Sequence, residues 1–176
     1  MPTTIQQASI FNVQATINTA YGTALAAITR PSWLASMPAL VYVWPETGIT
    51  PPAFSFTHID VGATDSYGGR VVDAWGVQKG LPKEALLDVG CWVTRHANAN
   101  WNAQLNTMKD MVYTVTSNTP QLVIKDYAAN QSSPSDTVFL VRLGDIVTVG
   151  TVPDQDNPDI ERVRILITYR WVYRSV

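Results

Sequence analysis

His58, His96 and Cys91 are the residue types most often recruited for transition-metal binding and for nucleophilic or general-base chemistry, and the chain holds no others of their kind. Their spacing does not assemble a site. Zinc needs three or four His or Cys ligands, usually two residues or one helical turn apart, and no such pairing occurs. Cys91 lies in Val89-Gly90-Cys91-Trp92-Val93, which reads as a buried strand, so its thiol is expected to pack rather than react. His96 follows the same strand and is expected at its end. Asp154, Asp156 and Asp159 supply the oxygen ligands a hard cation takes, but Pro153 and Pro158 interrupt the run and no glutamate closes a calcium loop. A solvated acidic loop is the expectation. A nucleophile elbow and a phosphate loop are both missing from the sequence. The sequence therefore implies no catalytic residues, no metal and no cofactor.

One electrostatic pattern stands out. From Ile160 to Arg174 the odd positions read Val163, Ile165, Ile167, Tyr169, Trp171 and Tyr173, and the even positions include Arg162, Arg164, Arg170 and Arg174. Strict alternation predicts a long strand with one buried face and one basic, wet face. Arg162, Arg164 and Arg170 have two uses. They can track a phosphate backbone, or they can pair with carboxylates of the same sheet or of a partner. Asp145 and the 154–159 loop are candidate partners by charge. The formal net charge of −2 and pI near 5.5 favour carboxylates over nucleic acid.

These residues need a scaffold. A helix is expected over Thr4–Ile28, where Ile10, Val13, Ile17, Tyr21, Ala24 and Ile28 recur at helical spacing. Its other face is polar without a charge from Thr3 to Thr29, which points to packing on another subunit or to neutral surface. A second helix is expected over 100–117, with Trp101, Leu105, Met108, Val112 and Val115 as the core stripe. Strands are expected over 39–44, 70–77, 88–96, 121–127, 137–149 (bent at Gly144) and 160–174. Residues 45–69, rich in Pro and Gly, read as a long loop that projects to an interface. Phe54 and Phe56 are its anchor candidates, although 54–61 alternates like an edge strand. Two helices among runs of strands give an α+β fold. Its central sheet is antiparallel or mixed, with both helices on one face, in a single domain over 1–176. Charged residues are 15%, below the roughly 25% of an average soluble domain. That deficit fits apolar surface covered by another chain, or an exterior of neutral polar residues. No apolar run reaches the roughly 18 residues of a membrane span.

The order of elements is a long N-terminal helix, a strand ending in Trp44-Pro45, a Pro- and Gly-rich excursion, and a middle helix after a strand. It closes with a long strand through Arg162-Val163-Arg164-Ile165-Leu166-Ile167-Thr168-Tyr169-Arg170-Trp171. This order resembles the tail terminator, or tail completion, proteins of long-tailed bacteriophages. The resemblance implies a structural, non-enzymatic protein that forms a hexameric ring. The ring would join the tail tube protein to the head-connector protein and let DNA pass. It also implies assembly in the host cytoplasm and residence in the virion neck. Two other readings stay open: a receptor- or carbohydrate-binding tail module, and a connector that contacts DNA.

Overall fold

The computed structural model describes residues 10–32, 34, 37–42, 49–63, 71–72, 78–80, 83–95, 100–154 and 156–173, with side chains described outside 60–83 and 172–173. Helix α1 spans Ile10–Ala27, β1 Ala39–Val41, β2 Ala53–Ala63, β3 Val71–Val72, β4 Gln78–Gly80 and β5 Lys83–Thr94. Helix α2 spans Trp101–Asn118, β6 Gln121–Asp126, β7 Ser135–Pro153 and β8 Ile160–Tyr173. Six strands form one mixed sheet in the order β1-β2-β5-β8-β7-β6, and β3 and β4 form a separate pair. Only the β1–β2 pairing is parallel. The α+β architecture expected from the sequence is the one observed.

The alternation of β8 is realised from Val163 to Trp171. Val163, Ile165, Ile167, Tyr169 and Trp171 are buried, and the register sets Cys91, Val89 and Leu87 of β5 opposite Val163, Ile165 and Ile167. Phe54 and Phe56 of β2 stand opposite Cys91 and Val89 on the same face. Onto this face pack Val13, Ile17, Tyr21 and Leu25 of α1 and Leu105, Met108, Val112 and Val115 of α2. Each set recurs every three or four residues, as a helix stripe must. The Tyr21 hydroxyl joins the helices, 2.7 Å from Thr116 Oγ1. Thr116 gives its own proton to the Val112 carbonyl, so Tyr21 is the donor.

The structure departs from the expected loop over 45–69. Residues 53–63 are not part of a projecting loop but a full strand between β1 and β5. Phe54 and Phe56, expected as anchors for a neighbour, are 0% and 2% exposed within the chain's own core. The Pro- and Gly-rich composition belongs to 45–52, just before the strand, and the pleat of the alternating segment that follows places both phenylalanines inward. Two residues of the uncharged face of α1, Asn12 and Thr16, are engaged within the chain, while Thr19 and Thr23 are exposed. Thr16 Oγ1 accepts from the Lys125 N–H at 3.0 Å, and Asn12 Oδ1 accepts from the Ala128 N–H at 3.1 Å. Asn12 Nδ2 donates to Asp126 Oδ1 at 3.1 Å. Helix α1 thus lies along β6 and occupies one of its outward backbone donors, the Lys125 N–H.

Boundaries shift modestly. β5 begins at Lys83 rather than Asp88, and β7 runs to Pro153 rather than Val149. The expected bend at Gly144 is a break in register between Leu143 and Ile146. The expected strand over 70–77 appears as the two residues of β3, with 73–77 outside the described residues, as are His96 and Arg174. Leu105 and Ile165 are 1% and 0% exposed. Truncating either to Ala is expected to cost about 2–5 kcal/mol in urea unfolding, the range for buried large-to-small changes.

Candidate interaction face

The second face of the sheet carries no helix among the described residues, and the even positions of β8 point to it. Arg162 and Arg164 stand opposite Trp92 and Gly90 of β5, with Asp88 one row further along. Asp88 Oδ2 accepts from Arg162 Nη2 at 3.0 Å, from Arg164 Nη2 at 2.7 Å and from Arg164 Nε at 3.1 Å. One carboxylate therefore serves two guanidinium groups. The side chain of Asp88 is 6% exposed, against 22% and 32% for the arginines that cover it. Burial lowers the pKa of Arg162, an effect Asp88 partly offsets, and the hydrogen bonds to Asp88 raise that of Arg164. Asp88 Oδ1 and Arg162 Nε are buried without a hydrogen-bond partner among the described residues.

Arg162 also lies over the Trp92 ring, 4.8 Å from its centroid, within cation–π range. The Trp92 indole donates to Ser55 Oγ at 2.8 Å, tying β5 to β2. Gly90 sits beneath this arrangement. A Cβ there would stand 2.6 Å from Trp92 Nε1 and 2.9 Å from Arg162 Nε, and also against Ser55 Oγ. Only glycine leaves room for the stacked arginine.

Arg170 lies in a different environment. Register places it opposite Glu84 on one side and Arg142 on the other, and Arg142 in turn faces Gln121. The row Glu84–Arg170–Arg142–Gln121 crosses four strands. Beside it the β7 register break at Gly144 and Asp145 opens a cleft of about 490 Å³, which Thr168 also lines. Like charges directly opposite across strands are destabilising unless something offsets them. Arg142 is exposed and has no ion-pair partner among the described residues.

The outer edge of β7 is the third feature. β6 pairs with β7 only as far as Arg142, and the Leu143 N–H then donates to the Pro120 carbonyl at 3.0 Å. From Ile146 to Pro153 no described strand pairs with that edge. The segment holds no charge, and Val147, Val149 and Val152 are 56%, 45% and 45% exposed.

Across the sheet, on the helix face, His58 and Cys91 are two rows apart, with Phe56 and Val89 between them. Cys91 is fully buried, and burial pushes its thiol pKa up. His58 Nε2 is 2.9 Å from Asn18 Oδ1, an acceptor, so Nε2 carries the proton and Nδ1 accepts from the Tyr169 hydroxyl at 2.9 Å. Burial lowers its pKa to about 4. The described residues include no group of three His, Cys, Asp or Glu placed to hold a metal ion. No described helix is long and apolar enough to cross a membrane.

Of the five residues singled out from sequence, the structure brings Arg162 and Arg164 together, sets Arg170 apart, and withdraws Phe54 and Phe56 into the core. The partner of the first two is Asp88, not the expected Asp145 or 154–159 loop. Its sequence signal was available: a lone carboxylate inside the apolar run Ala85-Leu86-Leu87-Asp88-Val89 has to be paired if the run is a strand. Arg142 was missed because only the register of β7 places it beside Arg170. The chain matches no protein-family model, and a search of curated proteins also finds no match.

Removing Asp88 leaves two crowded guanidinium groups without their counter-charge. Asp88→Ala is expected to cost about 3–5 kcal/mol in urea unfolding, as breaking a buried pair does. Arg164→Ala, at the wetter rim, should cost about 1 kcal/mol or less. Asp88→Ala unfolding at the wild-type midpoint would show that the cluster is not a constraint on the sheet.

The lowered pKa of His58 fixes a pH dependence. Above its ordinary value of 6.5 the side chain is neutral in the folded and unfolded chain. Between pH 6.5 and about 4 the unfolded chain binds a proton that the folded one does not, so stability falls as pH falls. The full effect is of order 3 kcal/mol. His58→Gln should flatten the stability profile between about pH 6.5 and 5, above the range where carboxylates titrate.

Proposed function

We propose that this protein is a structural assembly component that works through its surfaces, in the manner of the phage tail terminators its element order resembles. On this reading it forms a ring that caps the tail tube and joins it to the head connector. The observation that carries the reading is the outer edge of β7. Eight consecutive uncharged residues with three half-exposed valines form an edge of the kind that soluble monomers normally blunt with charge or cover with another element. In the same sheet, β6 is treated differently: α1 lies against it and hydrogen-bonds the Lys125 N–H and the Asp126 side chain, with a third bond to Ala128 just past its end. An edge left apolar beside one so engaged is consistent with a surface that another chain covers.

The engagement of Arg162 and Arg164 by Asp88 bears on the DNA-contacting alternative. Both guanidinium groups already have a carboxylate partner, so a phosphate would have to compete with Asp88 for them. A binding-module reading has its own observation, a cleft of about 500 Å³ along α1. Phe11, Tyr42 and Tyr127 line it with the neutral side chains of Gln14, Asn18 and Thr19, a mixture suited to an uncharged ligand.

Native mass spectrometry across a concentration series separates these readings. Ring-sized closed oligomers are the expected result. A monomer at every concentration, with or without assembled tail tube, would remove the terminator reading and leave the binding module.

A further inference from the structure

The β7–β8 hairpin is electrically polar along its length. Its tip holds Asp154, Asp156 and Asp159, and its far end holds the Arg142–Arg170 pair. Two side-chain oxygens shape the tip. Asp154 Oδ1 accepts the Asp156 N–H at 2.9 Å and Asn157 Oδ1 accepts the Asp159 N–H at 3.1 Å, closing two tight turns. Asp156 is exposed at the tip, and its carboxylate has no partner among the described residues.

At the other end, Arg170 has Glu84 on its outer side, whereas Arg142 stands between Arg170 and the neutral Gln121. Glu84 and Asp145 also line the cleft, so the site as a whole is not strongly cationic. The uncompensated charge is local, at Arg142. About ten residues of strand separate Ile160 from Arg170, roughly 33 Å, so the tip of one chain cannot reach its own arginine pair.

We propose that a second copy of this chain supplies the missing carboxylate, its 154–159 tip docking into the Arg142–Arg170 cleft. The contact joins two different surfaces and is therefore heterologous. Repeated from copy to copy, such a contact closes into a ring when its rotation allows. The inference rests on the ring reading and names the contact that builds the ring. Between the two charged ends runs the uncharged Ile146–Pro153 edge, which the same contact would bring close to the neighbour.

The test uses the full-length chain and four proteins: wild type, Arg142→Glu, Asp156→Arg and the double variant carrying both changes. Both positions are exposed, and circular dichroism with urea unfolding confirms that each variant folds. Oligomer size is read by native mass spectrometry and light scattering over a concentration series at low and high salt. Wild type should assemble, and assembly should weaken as salt rises and screens the pair. Each single reversal should raise the concentration for half-assembly at least about tenfold, as losing a close interfacial charge pair does. The double variant should restore it, because the reversed charges face each other again. Single reversals that assemble like wild type would overturn this contact while leaving the ring reading intact. Singles that weaken without rescue in the double variant would also overturn it, since the two residues would then act separately. A wild-type monomer under all conditions would overturn the ring reading itself.

Discussion

A single carboxylate holds the centre of this sheet in register. Asp88 sits on β5 where the alignment with β8 brings both Arg162 and Arg164 within hydrogen-bond reach. A slip of one residue would turn every buried side chain of β8 to the wrong face, and hydrophobic burial alone forbids that. A slip of two would keep the apolar face inward, so burial discriminates against it more weakly. The ionic cluster adds a penalty against any slip that carries the arginines away from Asp88, because an unpaired buried charge is costly. Helix α2 packs on β5 and β8 from the other side, and α1 packs on β6 and α2. The alignment of β5 with β8 therefore also sets where Leu105 and Met108 find their pockets. Gly90 and the Trp92–Ser55 bond belong to the same constraint, since Arg162 can stack on Trp92 only above a residue without a side chain.

The two segments along the β6–β7 side of the sheet are managed by different physics. Thr16 of α1 accepts from the β6 backbone at Lys125, and Asn12 binds the Asp126 side chain and the Ala128 N–H just past the strand, neither side chain carrying charge. In a helix with no charged residue in its described length, part of the polar face thus serves as short-range hydrogen-bonding groups for a strand and its end. Beyond Arg142, β7 loses that protection and extends past the end of β6. The register breaks at Leu143–Ile146 and Thr148–Gly150, with Gly150 at φ 97°, twist this exposed stretch locally without adding charge to it. The fold thus separates a closed half, dominated by α1, from an open hairpin whose surface chemistry is available to other chains.

Much of this architecture was legible because period-2 and period-3.6 patterns report burial directly. β8, α2 and the core stripe of α1 follow that rule, and the Gly144 irregularity was visible as a glycine in a strand. The interaction partners were less legible for a physical reason. A pairing such as Asp88 with Arg162 and Arg164 depends on which strands are neighbours and in what register, and neither is a local property. Phe54 and Phe56 show the converse failure. Their alternation signalled a strand correctly, but composition on the N-terminal side outweighed it and turned two core residues into surface anchors. Arg142 carried no signal at all in sequence, since its significance comes only from standing opposite Arg170.

The one cysteine of the chain lies against Phe54 and Val163 in the middle of the helix-covered face, with no exposed surface. A thiol so placed is invisible to reagents while the sheet is intact, and its raised pKa withholds the reactive thiolate as well. Fraying of an edge strand or opening of a surface loop does not uncover it. Only separation of β2, β5 and β8 from the helices does, which amounts to loss of the whole core. The chain therefore carries a built-in clock. The rate at which Cys91 takes up a thiol label under native conditions counts global openings and ignores local ones. Assembly, if it slows those openings, would be read by the same atom without any engineered probe.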